Sequence, residues 1–512
     1  MKSRCVVGGS MCCAAAMVCL VAGVIFLGCR ADYTATTGTG SGGNGFLATG
    51  RTSGLFTAAQ VDPQAEDSAG PQFVTSADLN GDGLIDLVSA WNATQPVQIH
   101  LQRRTASGAI SFETLTLAGN VPVVSVSQLK VADFDGDGAN DIAVMMKDTL
   151  EGNASCLDSE TVSSVELSGL ITLYMGPTDP TQANQALAWQ EIPIEASRLA
   201  GSGSGAVPEE GGYTSMAIGD VDGDGDVDIV SAWNSPCGGG SMDVLMFVNG
   251  GGGAVRDGTW TPMQIPNVTP LGTSIKSVAL GDIDGDGDVD IVATFPGAGS
   301  MNVRWFRNPA VDIPDDFHFS GPDWAVGTVA QIPTSADILG VADMDADGRI
   351  DVIVRSTNGK VIQWLKSPGS EATTAPLANI PWQVYTLSEF VTRAPGAFAL
   401  GDLNFDGHPE LVSSAGGALL MFDSQVNASV FDQWASTLIL DDGSAGTFAN
   451  ASTTTDPNVG ASAVSGETVI NSIEVVDLDG DGANDLVVTL DRNGLSGITN
   501  DALVWLRNTK RP

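Results

Sequence analysis

Short runs in which apolar and polar residues alternate, bounded by Gly, Asp, Asn or Pro, recur along almost the whole chain. This period of two predicts β-strands with one buried face. The runs come in a fixed order. First is a small, apolar run (SMAIG, SVALG, GAFALG), which suits a crowded innermost strand. A β-branched run follows (DLVSAW, DIVSAW, DVIV), then an aromatic-bearing one (VQIHLQ, ITLYMG, VLMFVN, VRWFRN, VIQWLK, LLMFDS, LVWLRN). A fourth opens on an aromatic, at Phe112, Trp189, Trp260, Trp324, Trp382 and Trp434. Four antiparallel strands repeated about every 60 residues are the signature of a β-propeller blade.

Between the first and second runs lies one acidic pattern, D-x-[DN]-x-D-G-x-x-[DE], in seven copies. They start at Asp78, Asp133, Asp220, Asp282, Asp343, Asp402 and Asp477, with spacings of 55, 87, 62, 61, 59 and 75 residues. Spacings near 60 mark the unit and longer ones mark insertions. A count of three domains from the 512-residue length therefore gives way to one all-β, seven-bladed domain. The seventh unit contains only three strands before the chain stops. Phe56-Thr57-Ala58-Ala59-Gln60-Val61 matches Trp260-Thr261-Pro262-Met263-Gln264-Ile265, so an N-terminal strand is expected to complete the last blade and leave no free edge.

The pattern has the chemistry of a hard cation site. Ca²⁺ takes six to eight oxygens, and acids at alternating positions converge when the chain curls. Positions 1, 3, 5 and 9 give the candidate ligands: Asp78, Asn80, Asp82 and Asp86; Asp133, Asp135, Asp137 and Asp141; Asp220, Asp222, Asp224 and Asp228; Asp282, Asp284, Asp286 and Asp290. The last three loops add Asp343, Asp345, Asp347 and Asp351; Asp402, Asn404, Asp406 and Glu410; Asp477, Asp479, Asp481 and Asp485. Position 6 is Gly in every copy, as a turn with positive φ requires. Position 7 would lend a carbonyl. Up to seven Ca²⁺ ions are expected, with folding linked to their binding. The sixth loop departs most, with Asn404 neutral, Phe405 for the usual Gly, and Pro409 at position 8.

An EF-hand loop needs Glu at position 12, where this chain has Ser89, Val144, Ser231, Ala293, Val354, Ser413 and Val488. Strands rather than helices flank each copy. The repeats resemble the FG-GAP/VCBS family, the calcium-loop propellers typified by integrin α heads, over about residues 54–509. That resemblance implies Ca²⁺ between the first two strands of each blade and ligand contact on the opposite face. All seven blades carry the loop here, whereas integrin heads have it in only some.

A charge of −39 argues against nucleic acid or an anionic membrane surface as partner. Lys2 and Arg4 precede an uncharged run from Cys5 to Cys29, the layout of an export signal over 1–28. Phe26-Leu27-Gly28-Cys29 resembles a bacterial lipobox, which makes Cys29 a lipidation candidate; an uncleaved anchor and simple secretion are the alternatives. All three send the chain outward, past a Thr/Gly/Ser-rich tether over 29–53.

Beyond the signal only Cys156 and Cys237 remain, in hairpins of adjacent blades, and an exported protein would let them pair. Eight of the ten Trp repeat at one register and read as core. Trp91 and Trp233, both in the string SAWN, end the second strand opposite the calcium loops, where a sugar could stack or a protein anchor; rim packing is the alternative. The insertions near 148–168, 196–212 and 441–470 fall at that same face. His100, His318 and His408 show no partner at catalytic spacing in the sequence. The expectation is a non-catalytic surface binding or adhesion module whose partner is a glycan or an extracellular protein. A structural scaffold is the alternative, and a polysaccharide-acting enzyme a distant third.

Overall fold

The computed structural model describes residues 51–52, 55–61, 70–91, 97–117, 126–146, 171–194, 212–234, 242–265, 275–297, 300–309, 324–332, 336–356, 361–368, 382–389, 395–415, 417–423, 434–441, 469–491 and 502–510. The segment 1–28 read as an export signal, Cys29, the pair Cys156 and Cys237, His318 and nearly all of the three insertions lie outside the described residues.

Seven antiparallel sheets follow one another along the chain, each in simple sequence order from its innermost strand outward. Blade 4 shows the pattern, with strands Val278–Gly281, Asp290–Gly297, Ser300–Arg307 and Ala325–Ile332. Blade 7 consists of Val469–Val476, Asp485–Asp491 and Ala502–Asn508, completed by Phe56–Gln60. Phe56 lies opposite Asn508 and Gln60 opposite Val504, so the expected closure of the ring is present.

One strand was not expected. Arg51–Thr52 pairs with the outer strand of blade 6, Arg51 opposite Asp441 and Thr52 opposite Leu440. This strand lies inside the segment read as tether, 29–53. Such edge pairing is made by backbone groups alone, so it leaves no side-chain pattern to read.

The blades pack face to face through separate apolar clusters. Between blades 3 and 4, Val230, Val244 and Met246 meet Val278, Ile291 and Phe306, capped by Trp324. The innermost strands are as crowded as their small residues suggest. A Cβ at Gly401 would stand 2.5 Å from the Val475 Cγ1 of the next blade. Seven of the eight Trp expected in the core are buried there, from Trp324 and Trp364 at 1% exposure to Trp260 and Trp382 at 8%, while Trp434 is half-buried against the cluster of blades 5 and 6.

Because the strands alternate in direction, each turn between first and second strands shares one end of the ring with the turn between third and fourth. The connections after the second and fourth strands lie at the other end. All three sequence insertions attach there, after Met146, after Ile194 and after Asp441.

Candidate metal centres

Each acidic loop runs from the end of a first strand to the position-9 acid, which opens the second strand. Position 6 is left-handed throughout, from φ +80° at Gly83 to +98° at Gly287. Position 4 makes the same demand, which the sequence reading did not identify. Five loops place Gly there, but Ala346 (φ +54°) and Phe405 (φ +67°) hold it with a side chain.

The acids at positions 1, 3 and 5 fold the loop around themselves. In blade 1, Asp78 accepts the N–H groups of Gly81 (2.7 Å), Asp82 (3.2 Å) and Gly83 (2.8 Å). Asn80 Oδ1 accepts from Asp82 N–H at 2.9 Å, and Asp82 Oδ1 from Leu84 N–H at 2.9 Å. The same bonds recur around the ring, so the curl that brings the acids together is set by backbone donors.

The position-9 acids Asp86, Asp141, Asp228, Asp290, Asp351, Glu410 and Asp485 are fully buried. Asp290 is typical. One oxygen accepts the Ile283 N–H at 3.0 Å, tying the loop base, and the other accepts the Asn308 N–H at 2.7 Å, tying the end of the third strand. Asp485 also takes the indole N–H of Trp505 at 2.9 Å. Lost hydration pushes the Asp290 carboxyl up to about 8, and those of Asp86, Asp141, Asp351, Asp485 and Glu410 to about 7. Asp228 is pushed to about 6 by burial. Asp222 at position 3 rises to about 7, through burial first and then the neighbouring Asp228 and Asp224. Such groups ionise readily only when a cation joins them.

Ligand atoms come within 4.8 Å of one another in Asp133/Asp135/Asp141, Asp220/Asp222/Asp228, Asp282/Asp284/Asp290, Asp343/Asp345/Asp347 and Asp406/Glu410/Asp423. These groups can hold a metal ion. Buried carboxylate oxygens of Asp220, Asp284 and Asp345 have no hydrogen-bond partner, which fits a cation there. An all-oxygen, mostly anionic set suits a hard cation and excludes a soft one. Asp423 is a member that the loop motif could not reveal, since it ends the third strand of blade 6, Ala418–Asp423.

A second device went unread in the sequence. The third strand of blade 4 is followed by Asn308, whose carboxamide donates to Val289 O in its own loop (2.9 Å) and to Val221 O in the loop of blade 3 (2.7 Å). Asn249, Asn508 and Gln102 bridge the preceding blade in the same way. Neighbouring loops are thus joined through buried amides, each donating to both loops. The recurrent Asn closing VLMFVN, VRWFRN and LVWLRN was the available signal.

The model for FG-GAP-like repeats matches residues 78–144, 220–293 and 343–413. Each match runs from one acidic loop through the next loop and the strand after it. The chain is an FG-GAP-repeat propeller. No curated protein matches the sequence. Among solved structures, this FG-GAP propeller is similar to BBS1N in complex with ARL6DN, soaked with lead, at 12% identity, 89% of this chain, 98% of that chain and TM-score 0.46. It is also similar to an Agrocybe aegerita lectin that recognises non-reducing terminal N-acetylglucosamine, at 16% identity, 84% and 92% coverage and TM-score 0.42. Neither likeness carries a functional argument.

The residues read as possible ligand contacts fare differently. Trp91 is 4% exposed, packed with Val74, Leu87 and Trp505, and its indole donates to Ser89 Oγ at 2.7 Å. It is rim packing and offers no stacking surface, because the strand end lies under the neighbouring blade. Trp233 stands opposite Tyr213 in blade 3, and its side chain is outside the described residues. His100 does have a hydroxyl partner, brought by strand pairing: Ser89 Oγ lies 2.8 Å from Nε2, with Thr114 Oγ1 3.0 Å from Nδ1. Ser89 and His100 are both sealed inside blade 1.

Proposed function

We propose that this propeller is an exported, calcium-stabilised, non-catalytic binding or adhesion module, tethered at the cell surface by its N-terminal segment, with its ligand face opposite the calcium loops. One observation carries the reading. The acidic loops converge at one end of the ring, whereas all three insertions attach at the other. Repetition at one end suits a common structural task. Unique sequence at the other suits recognition. The partner is a glycan or an extracellular protein, since a charge of −39 disfavours nucleic acid.

The burial of Trp91 favours a second reading, in which the propeller only scaffolds an assembly, because one of two candidate contact aromatics is unavailable. A screen of the protein against glycans and extracellular proteins, in calcium and in EDTA, separates the two. Calcium-dependent capture supports recognition, and absence of capture in both conditions supports the scaffold. The calcium part has its own test. Chelation should lower the melting temperature by many degrees, since each site filled at 100-fold its Kd contributes about 2.7 kcal/mol. An unchanged melt after confirmed metal loss would sink it.

A further inference from the structure

The seven loops share a backbone but not a charge environment. One position at or near the end of the third strand, immediately before the residue whose backbone N–H serves the position-9 acid, brings a charged side chain to the loop acids in blades 4 to 7. In register it is Leu101, Met175, Val248, Arg307, Lys366, Asp423 and Arg507. In blade 4, Arg307 Nε meets Asp284 Oδ2 at 2.7 Å and Nη2 meets Asp286 Oδ2 at 2.8 Å. Lys366 spans Asp345 and Asp347 in the same way, and Arg507 spans Asp479 and Asp481. Blade 2 has Met175 at this register. Its loop is reached instead by Arg256, from the short helix Gly253–Arg256 of blade 3, which spans Asp135 and Asp137. In all four cases one cation bridges positions 3 and 5.

Two loops differ. Among the described residues no basic side chain pairs with the loop of blade 3, which has Val248 at the register; its fifth acid, Asp226 at position 7, has a counterpart in Asp288 of blade 4 and does not distinguish the two. Blade 6 has Asp423 there, close enough to Asp406 and Glu410 to share a metal ion, so the charge missing at Asn404 is restored from the strand. Lys510 is felt by Asp423 but forms no ion pair with it among the described contacts. The loop of blade 1 is intermediate, with one long contact of 3.6 Å from Arg103 to Asp82 and one acid fewer.

We propose that Arg256, Arg307, Lys366 and Arg507 are built-in counter-cations that hold four loops together without metal and weaken their calcium binding, leaving the loops of blades 3 and 6 as the tight sites. The inference rests on the calcium reading above. It also rests on Asp284, whose side chain is fully buried yet keeps Oδ1 without a hydrogen-bond partner while Oδ2 serves Arg307. The pocket is therefore shaped for a cation that Arg307 only partly replaces. A fixed positive charge a few ångströms from a divalent ion opposes its binding, and removing that charge should tighten the site about tenfold or more.

Calcium titration of the full-length, metal-stripped protein by calorimetry tests this. Two tight sites are expected in the unmodified protein. Arg307→Gln and Arg507→Gln should each add one tight site and lower the melting temperature in EDTA. Arg307→Lys, which keeps the charge, should leave the site weak, and Asp423→Asn should remove one tight site. If Arg307→Gln leaves its site unchanged or weaker, or if Arg307→Lys behaves as Arg307→Gln, the counter-cation idea is wrong while calcium binding stands. A protein that binds no calcium in any form overturns the calcium reading itself. Should Arg307→Gln refold only with calcium, the same titration read on calcium release decides between these outcomes.

Discussion

In blade 4 the third strand ends in Arg307, which closes over two loop carboxylates, whereas in blade 6 the same register holds Asp423, which joins them. The backbones match: Ile291 faces Phe306 as Leu411 faces Phe422, and both position-9 acids are fully buried. The difference teaches that the nine-residue motif sets the geometry of a site, while a residue some twenty positions later in the chain sets its charge. A reading confined to the motif ranks blade 6 as the poorest copy, because of Asn404, Phe405 and Pro409. The strand beside it reverses that ranking.

The largest effect in this contrast belongs to the shared element. Replacing Asp290 with Ala leaves two buried N–H groups, those of Ile283 and Asn308, without acceptors. At about 1–3 kcal/mol for each orphaned group, we expect a loss of about 2–6 kcal/mol in denaturant unfolding. Glu410→Ala should cost a similar amount, since Glu410 accepts from Leu403 N–H (2.7 Å) and Asn404 N–H (3.1 Å). Asp290→Asn should behave differently. Its amide keeps one acceptor oxygen for one of the two N–H groups but turns an N–H2 toward the other, so we expect about half the loss of Asp290→Ala in EDTA, together with loss of the calcium increment. Equal damage from both substitutions in EDTA would show that the amide oxygen satisfies neither N–H group.

The same burial gives a pH dependence of definite sign. These folded-state carboxyls lie at about 6 to 8, above their ordinary values of 3.8 for Asp and 4.5 for Glu, so the folded chain binds protons more tightly than the unfolded one. Their contribution is complete below about pH 4 and is lost as pH rises through the folded values. In EDTA the melting temperature should therefore fall between about pH 4 and pH 8. Calcium competes with those protons, so its stabilising effect should grow over the same range. A melt in EDTA that rises with pH would contradict the assignment.

The blade count, the ring closure by Phe56–Gln60 and the acids of all seven loops were legible in the sequence because each is either repeated or complementary to a repeat. What escaped was pairwise. Arg256 reaches Asp135 across 121 residues, the Asn308 carboxamide reaches Val221 across 87, and Ser89 meets His100 only because two strands lie side by side. Neither the Arg256 contact nor the Ser89 contact leaves a periodic trace. The sequence leaves Trp91 open between ligand contact and rim packing, and the structure decides for packing: SAWN fixes the end of the strand where it sits, but exposure there depends on how the next blade packs against it. The Asn that closes three of the third strands was repeated, yet its role needed the loop of the preceding blade to be seen beside it.

The smallest predicted effect isolates backbone strain at position 4, where blade 4 has Gly285 (φ +76°) and blade 6 has Phe405 (φ +67°). A Cβ at Gly285 would meet nothing within 4 Å, so Gly285→Ala tests φ alone and should cost about 1 kcal/mol. The converse change is cleanest at Ala346 (φ +54°), an exposed residue whose replacement by Gly removes little packing. Ala346→Gly should stabilise blade 5 by about 0.5–1 kcal/mol, less the added freedom of the unfolded chain. Phe405→Gly should fall nearer zero, because relief of strain is offset by loss of a half-buried ring. Chemical denaturation of the three variants in saturating calcium reads these differences. If Ala346→Gly destabilises by as much as Gly285→Ala, the left-handed turn is not the source of strain, and the gap between blades 4 and 6 reduces to charge alone.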